Sequence, residues 1–142
     1  MFLHIYPDST TPLMQYFNAS DVKETASRIT EVLGWKHINI NRMRFIRSRG
    51  SRSKYVLARI HGFPKVFQKA LSMNPHYIIE VIGEKYDLLS PDEREKTLIH
   101  ELLHVPKGFQ GGLLPHKNYI TKRKVEKLHK LYRIGKNKSI SI

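Results

Sequence analysis

The chain has 142 residues, 40% of them hydrophobic, with a formal charge of +13 and no cysteine. That length suits one domain with its own core, and the composition is that of a folded protein rather than a disordered one. Disulfides and thiolate ligands are excluded, and no run approaches the ~20 apolar residues of a membrane helix, so a soluble cytoplasmic domain spanning residues 1–142 is expected.

Residues 1–18 read as a peripheral segment without the basic start and long apolar stretch of a secretory signal. Ser20 is placed to cap a first helix in which Val22, Ala26, Ile29 and Leu33 recur at helical spacing, closed by Gly34. From His37 to Arg47 the chain reads as extended, with Ile38, Ile40 and Ile46 on one side and Met43 and Phe45 on the other. Residues 48–53 form a polar turn, and residues 55–60 a second strand. Seven basic residues and no acid lie between Arg42 and Arg59. Pro64 then opens a short helix bearing Val66, Phe67, Ala70 and Leu71, which Asn74-Pro75 terminates. The β-branched run from Tyr77 to Ile82 is the best strand in the chain. It serves either as a central core strand or as an edge that receives an extended peptide.

The next helix carries the chemistry. Ser90 caps it, Pro91 suits its first position, and Glu93 completes a capping box. It is predicted over 91–105, because Pro106 disfavours helical geometry at Val105. Leu98, Leu102 and Val105 make its apolar stripe, widened by Ile99 and Leu103. Within it stands His100-Glu101-Leu102-Leu103-His104. Residues four apart share a helix face, so His100 and His104 aim two imidazoles at one spot, with Glu101 beside it. Two nitrogen ligands on a rigid helix with an adjacent carboxylate base form the arrangement of a zinc hydrolase.

A catalytic zinc needs a third protein ligand. Downstream of His104 only His116, Glu126 and His129 have suitable side chains, since no Asp follows Asp92. The metzincin spacing would require His where Gln110 stands. His116 is the favoured ligand: twelve steps of chain reach ~40 Å at most, and Gly108, Gly111 and Gly112 suit a flexible turn. Glu126 is the alternative. One zinc ion per chain would then activate water, with Glu101 as general base. Tyr119 and Lys117 are candidates for a second donor to the transition state. A last helix over 121–132 turns Val125, Leu128, Leu131 and Tyr132 inward, and residues 135–142 read as a flexible tail.

Nine basic residues against one acid between Lys117 and Lys138 make a second basic block. Together the blocks suggest attraction to nucleic acid, with Arg47, Arg49, Arg52, Lys122, Arg123 and Lys124 as candidate contacts. The other histidines, His4, His37, His61 and His76, have no implicating spacing and read as structural.

Several of these stretches carry a family resemblance. Residues 58–64, the strand at 77–82, the run 98–106 and the Gly111-Gly112-Leu113 and Pro115-His116 segments are similar to the predicted metallopeptidases of archaea and their viruses. That group is described as putative phage metallopeptidase, and the similarity runs from about Asp21 to Leu131. The resemblance implies a small zincin-like α+β fold, zinc at His100, His104 and His116, and Glu101 as base. The resemblance does not itself name a substrate; a peptide or protein is expected from the reading as a zinc-dependent peptidase. Three rivals share the metal but not that role: a hydrolase of nucleic acid or another phosphoester, a protease acting on nucleic-acid-bound proteins, and a basic nucleic-acid-binding protein with structural zinc.

Overall fold

The computed structural model describes residues 13–140. Strand β1 (Gln15–Asn18) leads into helix α1 (Ser20–Val32), then β2 (Met43–Arg49), β3 (Ala58–His61) and α2 (Lys65–Leu71). Strand β4 (Tyr77–Ile82), the single turn α3 (Gly83–Tyr86), α4 (Pro91–Leu102) and α5 (Lys122–Ile140) complete the order. The four strands form one sheet in the order β1-β2-β4-β3. β2 and β4 run parallel, Met43 opposite Tyr77 and Ser48 opposite Ile82, while β1 and β3 pair antiparallel at the two edges. This is a small α+β fold. β4 has neighbours on both sides, so it is an inner strand and offers no edge to a peptide; the edges belong to β1 and β3.

Alternation of side chains across each strand builds the core. Met43 and Phe45 of β2 and Tyr77, Ile79 and Val81 of β4 project to one face. There they meet Val22, Ala26 and Ile29 of α1, and Leu98, Ile99 and Leu102 of α4. Val125 and Tyr132 of α5 join the same cluster, whereas Leu131, expected inside, is half exposed.

Local chemistry moved several boundaries. The first helix is capped by Ala19, whose N–H donates to Phe45 O at 3.0 Å, so Ser20 is already helical. Extended structure begins at Met43 rather than His37, because Ile40–Arg42 forms one tight turn held by the Asn39 side chain, which accepts from the N–H of Asn41. The second strand begins at Ala58, leaving Tyr55 exposed. Gln15–Asn18 of the supposedly peripheral segment is an edge strand, and residues 1–12 lie outside the described ones. A tail was expected from residue 135, yet α5 continues to Ile140. Gly135 makes the crossing possible, since a Cβ there would stand 2.6 Å from Val32 Cγ1 on α1. Among the described residues, no helix is long and apolar enough to cross a membrane.

Candidate metal centre

Ser90 Oγ accepts from the Glu93 N–H at 3.2 Å and starts α4 as expected. The helix ends at Leu102, three residues early, because its last turn tightens: His104 N–H donates to Glu101 O at 3.1 Å and Val105 N–H to Leu102 O at 3.1 Å. Such i to i−3 bonds satisfy terminal carbonyls ahead of Pro106. His104 thus sits just beyond the helix, yet its ring remains beside that of His100, with centroids 5.5 Å apart.

His116 arrives from the loop that follows. Its Nε2 is 3.1 Å from His100 Nε2, and its ring lies 4.5 Å from that of His104. One nitrogen from each of the three histidines lies within 4.8 Å of the others. Nitrogens sharing one tetrahedral zinc at about 2.0–2.1 Å stand about 3.3 Å apart, so this donor set fits such an ion. Leu114 O accepts a hydrogen bond from His104 Nδ1 at 2.6 Å, which leaves His104 Nε2 with its lone pair free. Burial, reinforced by the charges of the neighbouring imidazoles His104 and His116, holds His100 below the ordinary histidine pKa. Burial also lowers His104, opposed by the Leu114 carbonyl and assisted by His116. Both shifts favour the neutral, ligating form.

Glu101 is buried at the same cleft, a volume of about 740 Å³ also lined by Ala58, Arg59, Ile60, Thr97 and Lys122. Burial pushes its carboxyl up to about 7, with the backbone N–H of Ile60 on β3 acting in the opposite direction. A carboxyl poised there is suited to accept and return a proton near neutrality.

The glycine-rich loop is tied down rather than flexible. Gly111 adopts φ +101°, and a Cβ there would meet Phe63 O at 2.2 Å. Its carbonyl accepts from Phe63 N–H at 2.8 Å, and its own N–H donates to the Tyr77 hydroxyl at 2.8 Å. The same hydroxyl donates to Gly112 O, and Gln68 Nε2 donates to Gln110 O at 2.9 Å. Tyr77, Gln68 and Phe63 therefore set where His116 arrives. Nothing in their local sequence signals this, apart from the glycines themselves.

Three imidazoles, a buried carboxylate and an open cleft are a metallohydrolase arrangement, and a family model described as putative phage metallopeptidase matches residues 14–133. The chain belongs to that family. No curated protein matches the chain, and no solved structure does. The matched stretch contains all three histidines and Glu101.

Other anticipated residues lie elsewhere. Glu126 borders the cleft but pairs with Lys96 at 3.2 Å and stands outside the histidine cluster. Tyr119 lines a separate cavity behind α4 with Trp35, His37 and Leu103, and Lys117 is exposed and absent from the cleft lining. His129 is buried against Glu95 at 2.8 Å, with Asp92 near enough to form a second potential ligand group. Lys136 already occupies the other Glu95 oxygen at 3.2 Å, and Arg133 approaches Asp92 at 3.5 Å, so cations fill that group. His61 pairs with Glu80 at 2.9 Å, His76 contacts Asn74 O, and His4 lies outside the described residues.

Three of the seven cations of the first basic block, Arg47, Arg49 and Arg59, find acidic partners on folding. Arg47, its side chain only 16% exposed, pairs with Asp21 at 2.8 Å and Asp87 at 3.1 Å, and Arg49 pairs with Asp87 at 2.9 Å. Arg52 alone among the three arginines of that set is exposed without an ion pair among the described residues. Lys122, Arg123 and Lys124 follow one another on α5 and so point about 100° apart. Lys122 lines the cleft, Arg123 a groove between α4 and α5, and Lys124 the cavity behind α4. They do not form one patch.

Proposed function

We propose that this protein is a zinc-dependent peptidase. The reading rests on one observation: His100, His104 and His116 converge at a cleft that also holds the buried Glu101. Membership of a metallopeptidase family supports a peptide or protein as substrate. His100, His104 and His116 would hold the ion. When bound, zinc supplies Lewis acidity towards a carbonyl oxygen and makes water more acidic.

The chain's own groups do the rest. Glu101 removes a proton as water adds to the carbonyl carbon, then returns it to the amine as the C–N bond breaks. Leu114 O holds the His104 ring in its ligating tautomer. β3 offers its outer edge, beside the cleft, to an extended peptide through main-chain hydrogen bonds. Arg59 and Lys122, which line the cleft as Tyr119 and Lys117 do not, are the candidates to donate to a developing oxyanion.

Elemental analysis of protein purified without a histidine tag tests the metal. About one zinc per chain is expected, lost in His116→Ala and kept in Glu126→Ala; the reverse pattern would make Glu126 the third ligand. Glu101→Gln should retain zinc and lose hydrolysis of unfolded casein. Zinc-loaded protein that cleaves a phosphodiester but no peptide would overturn the substrate class.

A further inference from the structure

A groove of about 760 Å³ between α4 and α5 is not used by the metal chemistry. Lys96, Arg123, Lys127, Lys130 and Arg133 line it, against two carboxylates, Asp92 and Glu126. Both carboxylates are already matched: Arg133 approaches Asp92 at 3.5 Å, and Lys96 holds Glu126 at 3.2 Å. Three cations remain. Arg123, Lys127 and Lys130 are exposed and have no acidic partner among the described residues.

Their spacing is i, i+4 and i+7, which puts all three on one face of the helix. From Arg123 to Lys130 the axial rise is about 10 Å. A nucleic-acid strand carries one charge on every nucleotide, so a row of three cations over that span can meet successive phosphates. An acidic peptide matches that row only when folded as a helix with carboxylates at the same spacing, whereas a nucleic-acid strand carries its row of charge whatever its sequence. The groove also meets the metal cleft, because Lys96 and Glu126 line both and their ion pair forms the ridge between them.

We infer that the Arg123–Lys127–Lys130 face of α5 docks the phosphate backbone of a nucleic-acid strand alongside the cleft. Of the anticipated contacts the site keeps only Arg123 and adds Lys127 and Lys130, while Arg47 and Arg49 are committed to Asp21 and Asp87. It stands whether or not the cleft cuts peptides, since docking needs neither metal nor Glu101.

The test uses the full chain and a labelled single-stranded oligonucleotide of about 20 nucleotides, longer than common single-domain site sizes. The variant R123A/K127A/K130A is compared with K23A/K65A/K69A, which removes three exposed cations from α1 and α2 instead. Both lose three charges from +13, and alanine suits exposed helix positions. Wild type should bind with a steep salt dependence. The α5 variant should bind at least ten-fold more weakly at low salt, with a log–log salt slope shallower by about two. The control variant should stay within a few-fold of wild type, and zinc content should be equal in all three. Equal losses in both variants would reduce the effect to net charge and overturn the site. So would absence of binding by wild type, or competition by polyglutamate as effective as by unlabelled oligonucleotide at equal charge concentration.

Discussion

His104 and Leu114 are joined twice. The imidazole Nδ1 donates to the Leu114 carbonyl at 2.6 Å, and the Leu114 N–H donates to the His104 carbonyl at 2.7 Å. The turn after α4 is thereby locked to the strand of chain that delivers His116 two residues later. One carbonyl orients the His104 ring, and one N–H positions that carbonyl. Leu114→Pro removes the N–H while keeping the carbonyl. It should weaken zinc affinity about 10–100-fold, the range for losing support behind a ligand. Chelator competition on folded protein measures this, and unchanged affinity would show that the second bond does not matter.

Glu101 is the proton carrier in the proposed chemistry. Glu101→Gln keeps the shape and removes the base, so peptide hydrolysis should fall about 10²–10⁴-fold while zinc content stays the same. Residual activity near wild type would transfer the base role to another group.

Gly111 and Gly112 are neighbours with opposite expectations. A Cβ on Gly111 collides with Phe63 O at 2.2 Å in a left-handed conformation, whereas one on Gly112 meets nothing within 4 Å. Gly111→Ala should destabilise by at least about 2 kcal/mol and reduce zinc affinity by displacing His116. Gly112→Ala should change stability by less than about 0.5 kcal/mol. Urea denaturation and metal titration of the pair would separate loop geometry from mere glycine content.

The Asp21–Arg47–Asp87 network makes a pH prediction. Hydrogen bonding to Arg47 outweighs partial burial and holds the Asp21 carboxyl below the ordinary aspartate range. A depressed carboxyl contributes stability above the unfolded-state pKa and loses it as pH falls through the folded-state pKa. Asp21 is largely exposed, so the contribution is small. Asp21→Asn should cost no more than about 1 kcal/mol at neutral pH, with the difference from wild type vanishing well below pH ~4. A difference that persisted at low pH would point to packing rather than charge.

Glu95 tests the second histidine cluster. Glu95→Ala strands the buried His129, and should destabilise by about 3 kcal/mol while leaving zinc stoichiometry unchanged. Loss of a second zinc equivalent in that variant would instead make this cluster a metal site.

Much was legible in the residues alone, because local chemistry sufficed. The spacing of His100, Glu101 and His104, the Ser90 cap, the Pro91 start and the β-branched run of β4 follow from neighbours within about one turn or one strand. The α+β class follows from the same periodicities. His116 was favoured by elimination, and the structure brings it to the other two histidines.

Tertiary structure decided everything that depends on distant partners. Whether Arg47 is a free cation depends on Asp21 and Asp87, 26 and 40 residues away. Which of three consecutive cations on α5 meets the cleft depends on the helix's rotation against α4. That Tyr77–Ile82 is an inner strand rather than an edge depends on β2 and β3 both finding it. The raised carboxyl of Glu101 is likewise a product of burial. A sequence specifies spacing along the chain, but charge pairing, edge position and desolvation are set by what packs across it.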